Sequence, residues 1–367
     1  MTKDRRPTTS FSRRADWNAA VNEFTRERER RSGLLDLTIS NPTHASLEYP
    51  EDELAEAMSR AARAKYDPQP LGLRSAREAI ADDWQCDADD IVITASTSES
   101  YSFLFKLLTD PGDAVLTATP SYPLLEHLAS LELIDLRTFR LEFHRRWELH
   151  AERVREAVSA RTKAIIVVNP NNPTGSYVRD DEQDALASMR LPIISDEVFF
   201  EYGSGTRIVR DDILTFTLGG LSKSAGLPHY KLGWIRVSGP EKKKAIDALE
   251  LIADNFLSVS TPVQAALPDL LRIGAKIRAS IRARIERNLN ALRNALPKSI
   301  SLLPVEGGWS AVLQMPRTSE DLAIEMLERG VVVQPGYFFD FDREGFIVLS
   351  LLTPPVVFDE GVTRIAS

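Results

Sequence analysis

The 367-residue chain is 43% hydrophobic and 27% charged, which is the composition of an ordinary globular protein long enough for two domains. Its 45 lysines and arginines against 53 aspartates and glutamates give a net charge of -8, which argues against a nucleic-acid partner held by bulk electrostatics. The polar N-terminus, the lack of a run near the ~20 apolar residues that span a bilayer, and a single cysteine, Cys86, predict a cytoplasmic protein with no membrane partner and no metal site.

The N-terminal region predicts a mobile arm followed by a charged helix. Residues 1–33 contain the charged run TRERERR and end at Gly33, a residue type that commonly terminates helices. A short strand and a turn are expected at residues 34–43, and a helix at residues 52–65.

A regular alternation of apolar runs and helix-length connections begins at residue 91. The seven runs that predict strands are residues 91–95, 114–120, 133–139, 163–169, 191–197, 213–218 and 232–237. Because these runs do not alternate between polar and apolar residues, their sheet should be mostly parallel and covered on both faces. The pattern predicts an α/β fold with a large domain, residues 50–265, built on a doubly wound seven-stranded sheet.

The C-terminal third predicts a smaller α+β domain. A long helix with apolar residues at three- and four-residue spacing is expected at residues 268–296, where Pro297 ends it. The further elements that we expect are strands at residues 301–303, 310–314, 331–333 and 346–352 and a helix at 319–329. This part should join the N-terminal segment, so that residues 1–49 and 266–367 form the second domain.

Polar side chains follow several of the predicted strands. In open parallel sheets, ligands bind at the carboxyl ends of the strands, because the loops there lead into helix N-termini. The residues at such positions that could bind a ligand are Ser96, Thr97, Ser98, Tyr122, Asn172, Asp196, Ser222 and Lys223. Their arrangement predicts one site at this edge of the sheet.

Each of these residues also has a simpler interpretation. Ser96 and Glu99 form the S-x-x-E pattern of a capping box, and Lys223 lies between small residues as a solvated loop lysine would. Catalysis with pyridoxal 5′-phosphate, however, uses the whole set. That cofactor needs a lysine for a Schiff base, a carboxylate for the pyridinium nitrogen, a stacked aromatic ring, hydrogen-bond donors and a phosphate cup. The set therefore predicts this cofactor.

Four motifs extend the pattern: NPNNPTG at residues 169–175, SDEV at 195–198, LSK at 221–223 and GLPHYKLGW at 226–234. In these motifs, in their order and over nearly the whole chain, the sequence resembles the class I and II aminotransferases, which are fold-type I pyridoxal phosphate enzymes. The resemblance implies that Lys223 forms the Schiff base and moves a proton at the substrate. Asp196 would keep the pyridine nitrogen protonated, Asn172 would donate to the ring oxygen, and Tyr122 would stack on the ring.

The resemblance also implies a phosphate site and a quaternary structure. The residues implied in phosphate binding are Ser96, Thr97, Ser98, Ser222 and Lys231. Tyr66 would reach the cofactor phosphate of a neighbouring subunit, because enzymes of this kind are homodimers with shared active sites.

The chain departs from the family pattern at the cofactor. Phe199 stands where a tyrosine commonly donates to the ring oxygen, and Gly220 where a phosphate-binding serine is common. Lys231 replaces an arginine, so the positive charge is kept while the planar, bidentate geometry is lost.

A further departure concerns the substrate. Val348 stands where the family places the arginine that binds the substrate α-carboxylate, so we expect atypical recognition of that carboxylate. Arg207 and Arg343 are candidates for a replacement cation, and Asn41 is expected to add a hydrogen bond to the substrate.

We therefore expect an aminotransferase that moves an amino group from a small-molecule amino donor to an oxo acid or another carbonyl acceptor by a ping-pong mechanism. The alternative is a lyase, racemase or cyclase of the same fold that acts on an amino acid, because the same cofactor residues serve all of these reactions. A non-catalytic protein that only binds the cofactor is the third possibility, since fold alone does not settle function.

Overall fold

The computed structural model describes Ser12, Arg14 and residues 21–367. The predicted N-terminal arm therefore lies almost entirely outside the described residues. The strands of the described part are β1 Leu35–Asp36, β2 Ile91–Thr94, β3 Ala114–Thr119, β4 Asp135–Arg140, β5 Glu142–Phe143, β6 Trp147–Glu148, β7 Thr162–Val168, β8 Ile193–Asp196, β9 Thr215–Gly220, β10 Gly233–Ser238, β11 Ser301–Leu302, β12 Ser310–Gln314, β13 Val331–Val332, β14 Gln334–Pro335 and β15 Phe346–Ser350.

The helices cover both faces of the larger sheet and flank the smaller one. They are α1 Glu23–Glu29, α2 Glu51–Ala61, α3 Arg74–Trp84, α4 Thr97–Leu108, α5 Leu124–Leu131, α6 Ala151–Ala157, α7 Asp180–Ala187, α8 Leu221–Ser224, α9 Lys242–Asp254, α10 Thr261–Ala295, α11 Ser319–Glu328 and α12 Pro355–Ala366.

The seven predicted strands form one sheet, with the order β2-β10-β9-β8-β7-β3-β4. Six of these strands run in the same direction, and β10, between β2 and β9, runs in the opposite one. Neighbouring side chains along a strand enter different cores: Ile165 packs with residues of α6 and α7, whereas Ile166 packs with residues of α4, α5 and α9. The prediction of an α/β fold with a mostly parallel sheet covered on both faces is therefore confirmed.

The long helix α10 begins earlier than the sequence indicated. The spacing of apolar residues predicts a start near Pro268. In the structure α10 begins at Thr261 and has Pro268 inside it. The predicted start was wrong because the helix continues through Pro268, although proline cannot donate a backbone hydrogen bond there. Burial of the apolar face of α10 against α2, α3 and α12 stabilises the helix enough to offset the loss of that bond.

A four-stranded antiparallel sheet, with the order β11-β12-β15-β14, forms the core of the C-terminal part. Its central strand β15 places Val348 opposite Val312 of β12 and opposite Gln334 of β14. Residues directly opposite each other in neighbouring strands share a face of the sheet, so Gln334 and Val348 lie side by side. β14 and the β5–β6 hairpin were not predicted.

The N-terminal segment joins the C-terminal part through β1, which pairs in parallel with β13. Within the described part of the chain, no helix is both long enough and apolar enough to cross a membrane.

Candidate functional site

A cavity of about 420 Å³ opens at the carboxyl-terminal edge of the larger sheet and is closed on the far side by the four-stranded sheet. The residues predicted for the site that line it are Ser96, Thr97, Ser98, Tyr122, Asn172, Asp196, Ser222, Lys223 and Lys231. They come from five loops that the parallel strands bring to one edge, as expected for a doubly wound sheet.

The N-terminus of helix α4 forms one wall of the cavity. Ser96 is its N-cap: the Ser96 Oγ accepts a hydrogen bond from the Glu99 backbone N–H at 3.3 Å, and Glu99 in turn accepts one from the Ala95 N–H at 2.6 Å. Ser96 is therefore the N-cap, as the capping box predicts, whereas Glu99 accepts from the residue before the cap rather than from the Ser96 N–H. The cap is compatible with anion binding, because Thr97 and Ser98 of the first turn also line the cavity and the N–H groups of a first turn have no partner within the helix.

Lys223 lies in the short helix α8, directly after β9. Its Nζ is 3.5 Å from the carbonyl oxygen of Ser40 and 5.2 Å from the centre of the Trp309 ring. Burial lowers the pKa of Lys223, and the nearby Asp196 carboxylate opposes that shift. Lys223 therefore loses its proton to give the neutral amine more readily than a lysine in water does.

Asp196 ends β8 on the other side of the cavity. Its carboxylate accepts a hydrogen bond from the Tyr101 hydroxyl at 3.1 Å and another from the Val198 backbone N–H at 3.2 Å. Burial raises the pKa of Asp196 to about 6, although both hydrogen bonds and the Lys223 charge act in the opposite direction. The hydrogen bonds and the Lys223 charge thus offset only part of the free-energy cost of burying the ionised Asp196 carboxylate.

Glu197 is the next residue but points away from the cavity. It is fully buried and accepts a hydrogen bond from Arg207 at 2.9 Å, and the Arg207 guanidinium lies between the rings of Trp84 and Phe200. Burial raises the pKa of Glu197 to about 7, and Arg207 counteracts this. Because Arg207 is committed to this pair and does not line the cavity, it does not serve as the replacement cation that we considered.

Arg343, the other candidate, is also remote from the cavity. It lies 3.8 Å from the Asp342 carboxylate and borders a separate surface depression near the β5–β6 hairpin. The cations that line the main cavity within the described part of the chain are Lys223 and Lys231.

Two predicted site residues do not line the cavity of their own chain. Asn41 caps the 3₁₀ helix Pro42–His44, since its side-chain oxygen accepts hydrogen bonds from the Thr43 N–H at 3.1 Å and the Thr43 hydroxyl at 2.8 Å. The neighbouring Ser40 lines the cavity instead. Tyr66 is 73% exposed and borders another depression, so its predicted role depends on a second subunit.

The departures noted in the sequence have local structural consequences. Phe199 is buried and packs edge-to-face on Trp309, with ring centres 4.9 Å apart. A side chain at Gly220 would bring its Cβ within 3.2 Å of the Gly233 Cα, so a serine there would crowd the adjoining strand β10. Val348 is buried among apolar residues and does not itself line the cavity, although Ser350 of the same strand does.

The wall opposite the sheet edge contains residues that the site prediction lacked. They are Ser310, Gln334 and Ser350, which line the cavity beside Trp309 and Phe339. The Ser310 hydroxyl lies 3.3 Å from the side-chain oxygen of Asn172, which links this wall to a predicted site residue. Tyr101 was also missed, although it follows Thr97 by four residues and so shares a face of α4 with it.

Two curated relatives show the extent of the similarity to known proteins. The chain is 29% identical to rice (Oryza sativa subsp. japonica) nicotianamine aminotransferase 1 over 242 residues, which are 60% of this chain and 49% of that protein. It is 29% identical to the glutamate-pyruvate aminotransferase AlaA of Haemophilus influenzae over 267 residues, 68% of this chain and 66% of that protein. The matched part thus spans about half to two thirds of these relatives.

Solved structures resemble the whole chain. A single mutant of Thermus thermophilus aspartate aminotransferase superposes with a TM-score of 0.84 at 24% identity and covers 98% of this chain and 99% of its own. An alanine aminotransferase from Pyrococcus furiosus has a TM-score of 0.81 at 24% identity, with coverage of 92% and 93%. At such identities the likeness shows the fold. The family model for aminotransferases of class I and II matches residues 32–365, and the chain therefore belongs to that family.

Proposed function

We propose that the protein is a pyridoxal phosphate-dependent aminotransferase that moves an amino group from an amino donor to an oxo acid or another carbonyl acceptor in a ping-pong reaction. The proposal depends on one observation: Lys223 and the buried carboxylate of Asp196 line the same cavity as the N-terminus of α4. An amine, a carboxylate and an anion-binding helix end together match the three ends of this cofactor. Family membership supports the same activity.

The residues of the cavity fit pyridoxal phosphate. Burial raises the pKa of Asp196, and a protonated ring nitrogen would supply a positive charge that favours the ionised carboxylate. The residues that would hold the phosphate are Ser96, Thr97, Ser98, Ser222 and Lys231. Asn172 would donate to the ring oxygen, and Tyr122 would stack on the ring. When bound, the cofactor would be joined to Lys223 through a Schiff base and would withdraw electrons from the substrate.

The surroundings of Lys223 suit it to move a proton at the substrate Cα. Its lowered pKa favours the neutral amine that can accept such a proton. The Tyr202 hydroxyl donates to the Lys223 carbonyl oxygen at 2.6 Å and so fixes the backbone from which the side chain extends. The rings of Phe199 and Trp309 beside the Nζ limit the access of water.

We also propose that recognition of the substrate carboxylate is atypical. Both lysines of the cavity are assigned to the cofactor, and the facing wall presents the hydroxyls of Ser310 and Ser350 and the amide of Gln334. Neutral hydrogen-bonding groups bind a carboxylate less strongly than a bidentate arginine does. We therefore expect donors with a neutral polar group at this end to compete well with ordinary α-amino acids.

We further propose a cytoplasmic homodimer in which Tyr66 reaches the partner's cofactor phosphate. The 73% exposure of Tyr66 supports an interface there, as does the exposure of Phe256 and Leu257 in the segment after α9. Leu257 borders the same surface depression as Tyr66, so these two side chains lie in one region of the surface.

The first test is spectroscopic. Purified protein with saturating cofactor should show the visible absorption band of a lysine-bound pyridoxal group, and Lys223→Ala should abolish it. Lys231→Ala serves as a matched control, because it removes a cavity lysine that is not expected to bond covalently and should retain the band at saturating cofactor. A colourless wild-type protein would disprove the cofactor assignment.

The second test separates aminotransferase from the alternatives. Single turnovers with a panel that includes alanine and glutamate, for which the relatives are named, and the corresponding amides and amines should yield an oxo product together with pyridoxamine phosphate. Release of ammonia, or exchange of the Cα proton without an oxo product, would instead identify a lyase or a racemase. A bound cofactor that no donor converts would identify a binding protein.

A further inference from the structure

The β5–β6 hairpin carries the pattern Glu-x-His twice, once on each side of its turn: Glu142 and His144, then Glu148 and His150. Glu142 pairs directly with Glu148 across the hairpin. His144 and His150 follow their strands by one and two residues, and the distances given below place both rings beside these carboxylates. The hairpin lies beyond the edge strand β4 and takes no part in the cavity described above.

The two imidazoles and the carboxylates converge on one point. The Nε2 of His144 is 3.3 Å from one Glu142 oxygen, and the Nε2 of His150 is 3.8 Å from that same oxygen. One ligand atom from each of Glu142, His144 and His150 lies within 4.8 Å of the others. Two ligands of a tetrahedral zinc ion are about 3.3 Å apart, so the spacing suits a shared ion.

Each carboxylate is held in place by an arginine. Arg153 donates to the Oε1 of Glu142 at 2.8 Å, and the Nε of Arg146 is 3.4 Å from the Oε1 of Glu148. The Oε2 atoms of both glutamates lie on the side of His150, at 3.8 Å and 3.7 Å from its Nε2. Such outer contacts orient ligands in metal sites, because they fix the direction of the free oxygen.

A second observation concerns the ring of His150, whose side chain is 41% exposed. Its Nε2 is shielded from solvent and forms no hydrogen bond with the described residues, and its distances to both carboxylates exceed hydrogen-bonding range. Glu142 and Glu148 also repel each other across the hairpin; Arg153 and Arg146 offset part of this repulsion, and a cation between the two carboxylates would offset more.

We propose that Glu142, His144 and His150, with Glu148 adjoining, form a binding site for a first-row divalent transition-metal ion, with Zn²⁺ as the ligand to which we commit. Imidazole nitrogen with carboxylate oxygen is a donor set that suits Zn²⁺, whereas Mg²⁺ requires oxygen ligands in a near-octahedral arrangement. The ion would join the two strands of the hairpin and balance the opposed carboxylates.

The hairpin is connected by packing to the active-site wall. Trp147 of β6 packs on Phe341 and Phe346, with ring centres 5.7 Å and 6.4 Å apart. Phe341 in turn lies 6.4 Å from Phe339, which lines the main cavity. A bound ion should therefore stiffen a segment that supports the cavity wall, without contacting the reacting groups.

The test is calorimetric titration of the untagged holoenzyme with ZnCl₂ after removal of free cofactor, which would itself chelate zinc. We expect saturable binding of one ion, accompanied by a rise in the melting temperature. His144→Ala and His150→Ala should each weaken binding by at least about tenfold, since each removes a ligand, and Glu142→Gln should weaken it as well. An excess of MgCl₂ should not compete.

Two control variants address zinc bound elsewhere. His44→Ala removes an exposed histidine outside the hairpin, and Cys86→Ser removes the single cysteine. Both should bind zinc as the wild type does, and all hairpin variants should keep the cofactor absorption band, which shows that they are folded. Absence of saturable binding by the wild type, or unchanged binding by both histidine variants, would overturn the proposal.

Discussion

The two ends of the main cavity differ in charge. At the sheet edge, Lys223, Asp196 and Lys231 surround the proposed cofactor position, together with the N-terminus of α4. On the facing wall the polar groups are neutral: Ser310, Gln334 and Ser350. The sheet edge is therefore suited to bind a ligand with fixed charges. The facing wall can instead select among substrates by their hydrogen-bonding groups and their shape.

The same contrast appears in how the ends are supported. The sheet edge rests on strands that are buried on both faces and on the capped helix α4. The facing wall belongs to the antiparallel sheet, in which Val348 is enclosed by apolar neighbours, while Ser310, Gln334 and Ser350 contribute polar groups to the cavity. Changes at the sheet edge should therefore affect turnover generally, and changes in the wall should affect the choice of substrate.

Among substitutions at the sheet edge that keep Lys223, we expect Asp196→Asn to lower kcat the most. The variant cannot hold a proton on the ring nitrogen electrostatically, so kcat should fall by roughly 10²–10³-fold, the range found when a preorganised electrostatic contact is removed. Steady-state kinetics at saturating cofactor would measure this. A variant with wild-type kcat would show that the charge of Asp196 has no catalytic role.

The same variant should have the opposite effect on the stability of the cofactor-free protein. Burial raises the pKa of Asp196 from 3.8 to about 6, so its ionised form costs the folded state up to about 3 kcal/mol above pH 6, and the cost disappears as the pH falls below the unfolded value near 4. Denaturant unfolding should show Asp196→Asn more stable than the wild type at pH 8 and equal to it near pH 4. Added cofactor should reduce or reverse the difference at pH 8.

Substitutions of Lys231 test whether a positive charge at the sheet edge binds the cofactor phosphate. Lys231→Met should weaken retention of the cofactor by about tenfold, because a charge-assisted contact is lost, whereas Lys231→Arg should retain it. Cofactor release on dialysis, followed by absorbance, gives the measurement. Equal release from both variants would show that the charge at this position is not used.

Gln334 tests the facing wall. Gln334→Leu should lower kcat/KM for donors with a neutral polar group by about tenfold, the cost of one unmade hydrogen bond, while the cofactor band stays unchanged. Gln334→Arg should shift preference towards α-carboxylate donors. Val348→Arg should act in the same direction, but its site is buried, so the Gln334 variants give the decisive measurement. Unchanged ratios across matched acid and amide donors would disprove the role of this wall.

The smallest effect is expected outside the cavity. Tyr66→Phe should weaken cofactor retention only a few-fold, since a single neutral hydrogen bond to the phosphate is removed across the proposed dimer interface. Tyr66→Ala should act more strongly. Sedimentation of the wild type as a monomer with full activity would eliminate the cross-subunit role.

The sequence was informative where patterns are long or dense. Seven apolar runs predicted every strand of the larger sheet, and clusters such as that around Asn172 indicated which loops meet at its edge. The catalytic and binding roles of these residues remain predictions, as do the domain boundaries at residues 50 and 265.

What the sequence did not reveal depends on tertiary contact. Gln334 belongs to a two-residue strand, and only its pairing with Val348 places it beside the cavity. The side-chain oxygen of Asn41 accepts hydrogen bonds from Thr43, as short polar side chains in turns often do, and a hydrogen bond from Asn41 to the substrate stays a prediction.

The reversed direction of β10 links the two cavity lysines. β9 ends at the cavity with Gly220, and β10 begins there with Gly233, so Lys223 and Lys231 lie on one short connection between adjacent, hydrogen-bonded strands. This connection is closed by the Leu221 N–H donating to the Leu232 carbonyl oxygen at 3.0 Å. The amine that would bond the cofactor and the amine that would neutralise its phosphate are therefore positioned by the same β9–β10 connection. A change that disorders this connection would displace both lysines from the cofactor together.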